Sequence, residues 1–97
     1  LSDPYTLVVT AITPVFISGT SVKVYPNPAS TEAVIAFDQT PVTNVQIMLI
    51  NSNGIVVKSM ITKQKINKFS VYDLSKGMYY IEFKNGKQTG AIQLVIQ

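Results

Sequence analysis

The sequence predicts an all-β protein, an antiparallel β-sandwich of about seven to eight strands. Val, Ile, Thr, Tyr and Phe occur in short runs that Pro, Gly, Asn and Ser separate, a pattern typical of many brief strands. No segment shows a convincing helical period. Apolar residues make up 46% of the 97 residues and charged residues only 13%, so one modest core is expected.

Eight segments are predicted as strands, and their close spacing favours two packed sheets. They are residues 5–12, 22–25, 33–38, 44–51, 55–62, 65–72, 78–84 and 91–96. Because Thr13-Pro14 and the flexible break Ser18-Gly19-Thr20-Ser21 follow the first segment, residues 1–20 are assigned to an N-terminal strand and linker, and residues 21–97 to the domain proper. The first strand either ends a preceding domain or completes this one, and the sequence leaves both open.

Alternation of apolar and polar residues predicts which side chains form the core. The predicted core residues are Ile35, Phe37, Val45, Ile47, Leu49, Tyr79, Ile81 and Phe83. Met48 and Ile50 interrupt the polar side of their strand. That strand is therefore expected to lie centrally in its sheet or beneath a neighbouring domain.

Three glycine-containing segments predict turns. Asn85-Gly86 lies between two strand-like runs and predicts a type I′ hairpin turn, with positive φ at both residues. Asn51-Ser52-Asn53-Gly54 predicts a longer hairpin loop in which Gly54 is left-handed. Gly77 is expected to turn the chain in the same way before Met78.

The composition excludes several function classes. The chain has no His and no Cys, so it lacks the commonest general base, the commonest transition-metal ligand and any thiolate. Its net charge of +3 comes from Lys without Arg, which argues against nucleic-acid binding. The five acids are scattered and fit no calcium-loop pattern. We expect no enzyme, no metal, no cofactor, and no segment long enough to span a membrane.

Two corner segments and a central turn are each common in β proteins but form a more specific pattern together. V-K-V-Y-P-N-P-A-S covers residues 22–30, V-Q-I-M-L-I-N-S-N-G-I-V-V covers 45–57, and Y-D-L-S-K-G-M-Y-Y-I-E-F covers 72–83. In this order and at this spacing the chain resembles the type A C-terminal sorting domain of proteins exported by the type IX secretion system of Bacteroidetes. The resemblance covers residues 22–97.

This resemblance implies an immunoglobulin-like sandwich that acts as a secretion signal rather than as a catalyst. The implied partners are a larger N-terminal cargo domain in the same chain, the type IX translocon and a sortase that can remove the domain. The implied location is the cell surface or the medium of a Gram-negative bacterium. By carry-over the recognition residues are Pro26, Asn27, Pro28, Gly54, Asp73, Leu74, Gly77, Tyr79, and the terminal strand Ala91, Ile92, Gln93, Leu94, Val95, Ile96 and Gln97.

The terminal strand departs from the family in one respect. Members commonly carry basic residues in or after it, whereas the final lysine here is Lys87 and the strand contains Gln93 and Gln97. Without lysine, an exposed terminal strand is expected to allow a weak strand-paired dimer.

Four lysines form a possible docking patch for an acidic receptor or an anionic glycolipid: Lys58, Lys63, Lys65 and Lys68. The favoured interpretation is that they protect edge strands against pairing with other chains. The alternative function is a carbohydrate-binding or adhesive sandwich, in which sugars would stack on exposed Tyr25, Tyr72 and Tyr80. The absence of Trp weakens that alternative.

Overall fold

A computed structural model describes residues 15–97, which form eight strands. Seven of the predicted strands lie in this range, and each is found with ends within three residues of those expected. The predicted strand 5–12 lies outside the described residues. The strands are β1 Val15–Ile17, β2 Thr20–Tyr25, β3 Glu32–Phe37, β4 Val45–Asn51, β5 Val56–Thr62, β6 Ile66–Ser70, β7 Gly77–Asn85 and β8 Gln88–Ile96.

The strands form two four-stranded sheets. One has the order β1-β2-β3-β6 and the other the order β5-β4-β7-β8, and all neighbours within a sheet are antiparallel. The chain passes from one sheet to the other after β3, β5 and β6, as in immunoglobulin-like sandwiches. The predicted all-β sandwich is confirmed.

The core lies between the two sheets and contains every side chain that alternation assigned to it. Val45, Ile47 and Leu49 on β4 are fully buried, and β7 contributes Ile81 and Phe83. Strand β4 is central in its sheet, which confirms the expectation from Met48 and Ile50 and explains why their side chains are half-buried. Pairing on both sides shields a central strand even on its outer face.

Strand β1 is the element that the sequence analysis missed. Val15–Ile17 pairs with β2, and Ile17 is fully buried in the core. The break predicted over residues 18–21 is instead a tight turn at Ser18-Gly19 followed at once by β2. Buried Ser18 also accepts a hydrogen bond on Oγ from Thr43 N–H (2.9 Å), which fixes the turn against the β3–β4 connection. The sandwich thus includes residues before the proposed boundary at residue 21.

The prediction of a type I′ turn at Asn85-Gly86 is wrong. Asn85 pairs with Gln88, so the two turn residues are Gly86 and Lys87, and only Gly86 has positive φ (57°). This arrangement is that of a type II′ turn, which requires positive φ only at its first central residue. Asn85 stays in the strand, where its Nδ2 donates to Thr43 Oγ1 at 2.6 Å.

Candidate recognition surface

The three motif segments meet at one end of the sandwich, together with the end of β8. Ala29 forms a parallel bridge with Ile96, Ile96 lies opposite Gly77, and Tyr79 lies opposite Asn51. These pairings place the Pro-Asn-Pro corner, the central turn and the β6–β7 connection side by side. We call this surface, made of residues 26–29, 51–54, 73–79 and 93–97, the motif end.

The Pro-Asn-Pro corner is hydrogen-bonded to β8. Asn27 Nδ2 donates to Gln93 O (2.9 Å), and its Oδ1 accepts from Val95 N–H (3.0 Å). Ala29 N–H donates to Val95 O (2.8 Å), and Ala29 O accepts from Gln97 N–H (2.8 Å). Residues 26–29 therefore lie along the side of β8 that faces away from β7.

Within this corner only Ala29 is buried. Pro26, Asn27 and Pro28 are exposed, and both peptide bonds that precede the prolines are cis. The sequence predicts a stiff corner here but not its contact with β8. An Asn between two prolines indicates that a side-chain amide is held in place, but no local pattern identifies a partner 68 residues away.

The central turn is organised by Asn51, a residue that sequence analysis did not single out. Its Oδ1 accepts hydrogen bonds from the N–H groups of Asn53 (2.9 Å) and Ile55 (3.0 Å). Gly54 has φ of 81° and donates its N–H to Asn51 O. The left-handed conformation predicted for Gly54 is confirmed, and this conformation disfavours any residue that has a Cβ.

The β6–β7 connection is attached to the core and to its own backbone. Leu74 is half-buried against the core and donates its N–H to Val71 O (3.0 Å). Tyr79 is buried, and its hydroxyl donates to Ser75 O at 2.7 Å. Tyr79 therefore serves as a core residue and as a support for the loop that precedes it.

Asp73 of the motif end pairs with Lys58 on β5, with 3.0 Å between Oδ1 and Nζ. The hydrogen bond from Lys58 is the main cause that lowers the pKa of the Asp73 carboxyl below 3.8, and hydrogen bonding to the backbone of Asp73 and the positive charge of Lys58 add to it. The Asp73 side chain is 54% exposed, so water and salt screen the pair.

This ion pair predicts a small, pH-dependent contribution to stability. Because the folded pKa of Asp73 is lowered, the stabilisation is present at neutral pH and is lost as the pH falls through that folded pKa. We expect Asp73→Asn to lower the free energy of unfolding slightly at pH 7 and low salt, with the difference shrinking at a pH low enough to protonate Asp73. Urea titrations at both pH values, with exposed Asp38→Asn as the control, measure it. An Asp73→Asn effect that is equal at both pH values would contradict the assignment.

A polar depression of about 220 Å³ lies between the central turn and the β6–β7 connection. It is lined by Asn51, Ser52, Asn53, Ser75, Lys76, Gly77, Met78 and Tyr79. Within residues 15–97 no three His, Cys, Asp or Glu side chains lie close enough to share a metal ion. The depression thus offers hydrogen-bonding groups and one cation to a binding partner.

A comparison with known protein families identifies the family of this chain. Residues 23–97 match the model of the secretion system C-terminal sorting domain. The chain belongs to this family. A search of curated proteins finds no match.

The match begins one residue after the resemblance drawn from the three motifs, and it includes all of the motif end. The sorting domain described by residues 15–97 contains no helix with the length and apolar character needed to cross a bilayer.

The four lysines of the predicted docking patch lie on different structural elements of the sorting domain. Lys58 is on β5 and Lys68 is on β6, the outermost strands of different sheets, so their strands are not paired as neighbours. Lys58 pairs with Asp73, and Lys68 lies 3.8 Å from Glu32. Exposed Lys63 and Lys65 lie at the β5–β6 connection. The placement of Lys58 and Lys68 agrees with edge protection, and the docking patch stays a prediction.

The three tyrosines of the alternative function are all exposed but do not form one platform. Tyr25 is on the outer face of the β1-β2-β3-β6 sheet, and Tyr80 is on the outer face of the other sheet. Tyr72 is in the β6–β7 connection. Sugar stacking across Tyr25 and Tyr80 together would require one surface that reaches both faces of the sandwich.

Proposed function

We propose that this sorting domain directs a larger protein, joined to its N-terminal side, across the outer membrane through the type IX translocon. Membership of the family makes the domain a C-terminal sorting signal for type IX secretion. Three further steps are part of the proposal. The cargo crosses the outer membrane, a sortase removes the domain, and the cargo is attached at the cell surface. The translocon and the sortase are the proposed partners.

One observation carries the proposal: the three motifs, far apart in sequence, form one continuous surface with the end of β8. Residues of a core need only be apolar and of suitable size. Much of the motif end is exposed, including Pro26, Asn27, Pro28, Gly54 and Asp73. Exposed loop residues that match a family pattern are better explained by recognition than by packing.

The proposed role is recognition without catalysis. The chain has no His and no Cys, and the depression at the motif end lacks a carboxylate pair. We therefore assign any cleavage or attachment chemistry to the partner proteins. Because Tyr25 and Tyr80 lie on opposite outer faces of the sandwich, their positions argue against a carbohydrate site that uses both.

A reporter fusion tests the proposal. Residues 1–97 are placed behind a folded reporter that carries a signal peptide for entry into the periplasm. The fusion is expressed in a type IX-competent bacterium and in a derivative without the translocon. We expect the reporter on the surface or in the medium of the competent strain alone.

The matched control is the same reporter without residues 1–97, which we expect to stay in the periplasm of both strains. Retention of the folded fusion in the periplasm of the competent strain would contradict the proposed function. Equal release from both strains would do the same, because it would show export independent of the translocon.

A further inference from the structure

Among the strands of residues 15–97, β8 is an edge strand whose protection differs from that of the other three edges. Strands β5 and β6 carry Lys58 and Lys68, and β1 has only three residues. Short edges and lysines are the usual means of preventing pairing with a foreign strand. Strand β8 has nine residues and none is charged. The protection of its C-terminal half comes instead from residues 26–29, which we call the cover segment.

The cover segment occupies β8 as an added strand would. The carboxamide of Asn27 is chemically a peptide group, with one carbonyl oxygen and an N–H donor, and it bonds Val95 N–H and Gln93 O as a strand backbone does. Ala29 bonds Val95 O and Gln97 N–H in the same way. Four hydrogen bonds thus occupy the outward backbone groups from residue 93 to residue 97.

The cover segment is less buried than the hairpin that covers the other half of the edge. Near the start of β8, Val15 packs so closely on Gly90 that a Cβ at that glycine would overlap Val15 Cγ1, and Ser18 N–H donates to Gln88 Oε1. Ile17 of the same hairpin is fully buried. In the cover segment only Ala29 is buried. The C-terminal half of the edge is therefore the half that a competitor can expose.

An added strand there would also extend an apolar face. On the outer side of this sheet, Ile50 lies opposite Val56 and Tyr80, and Met78 lies opposite Val95. Val56, Met78 and Tyr80 are exposed by 47%, 38% and 44%. An added segment would lie beside Gln93, which is opposite Tyr80, and Val95, which is opposite Met78. If its side chains were apolar at alternate positions, they would continue these two cross-strand rows on the outer face.

We propose that residues 93–97, at the end of β8, are a docking edge for an extended apolar segment of the export machinery, which displaces the cover segment and takes over its four hydrogen bonds. The exchange conserves the number of hydrogen bonds, so its driving force is the additional apolar contact on the outer face. In the free domain the cover segment prevents premature pairing with other chains. This inference rests on the proposed function and names the site at which the partner binds.

A disulfide that locks the cover segment tests the displacement step. Ala29 and Ile96 are bridge partners with buried side chains, and the wild-type chain has no cysteine that could compete with an introduced pair. In the reporter fusion with residues 1–97, we expect Ala29→Cys with Ile96→Cys to abolish export once oxidised. The same double variant kept reduced is the matched control, because it carries both substitutions without the covalent link, and the oxidised protein should be exported far less than the reduced one. Disulfide formation is checked by alkylation and mass spectrometry, and folding by circular dichroism.

Asn27→Ala provides the opposite change and tests the attachment of the cover segment independently of disulfide formation. We expect hydrogen exchange of the Val95 amide to become about tenfold faster, because the hydrogen bonds of Asn27 are lost. Asn44→Ala, at an exposed residue outside the motif end, is the control and should leave this exchange rate unchanged.

The outcomes separate this inference from the proposed function. If the unmodified fusion is not exported, the proposed function fails. If the unmodified fusion is exported and the oxidised double variant is exported equally well, the displacement step is wrong. Unchanged hydrogen exchange of the Val95 amide in folded Asn27→Ala would also overturn the inference, since it would mean that Asn27 does not hold the cover segment on β8.

Discussion

Replacing Phe83 with alanine is expected to lower the free energy of unfolding by about 3–5 kcal/mol. Phe83 is fully buried in the core, and its ring meets that of Phe37 edge to face, with centroids 6.5 Å apart and an interplanar angle of 75°. Removal of the ring leaves a cavity between the two sheets. Because domains of this size have total stabilities of about 5–15 kcal/mol, much of the population would unfold on mild warming.

Urea unfolding monitored by circular dichroism measures this loss. Tyr72→Ala is the control, because its side chain is 76% exposed and its removal should change stability by less than about 0.5 kcal/mol. A double-mutant cycle with Phe37→Ala should give a coupling of about 0.5–1.5 kcal/mol for the aromatic pair. A Phe83→Ala protein as stable as the wild type would contradict the packing described for the core.

Deleting residues 91–97 is expected to unfold the sorting domain and to abolish export of a fused reporter. The deletion removes Leu94 and Ile96 from the core, and six of the nine residue pairs between β7 and β8. It also leaves Ala29 without its bridge partner and makes β7 an edge strand. Loss of export by this variant would thus have a structural cause, in addition to any loss of a signal.

A second variant separates these causes. Gln93 and Gln97 have exposed side chains, and their backbone hydrogen bonds survive substitution, so Gln93→Ala with Gln97→Ala should unfold at nearly the wild-type urea concentration. Reduced export of this folded variant would show that the glutamine side chains are read. A truncated protein that unfolds cooperatively at the wild-type urea concentration would contradict the role of β8 in the core.

The turns show how far local chemistry predicts structure. Gly54 is left-handed as expected, because a loop between two strands that ends in Asn-Gly has few other conformations. The turn at Gly86 was placed one residue too early, since the pairing of Asn85 with Gln88 and its hydrogen bond to Thr43 decide where the strand ends. Strand β1 was missed because three residues are too few to show alternation.

The sequence by itself determined the sandwich class, the core side chains of β3, β4 and β7, and the membership of the sorting family, because alternation and motif spacing are properties of short segments. Only the tertiary structure decided which strands are neighbours and that the Pro-Asn-Pro corner lies on β8. Asn27 and Val95 are separated by 68 residues, and Ser18 and Gln88 by 70. Such contacts depend on how the two sheets pack, and the residues at either end carry no local pattern that specifies the other.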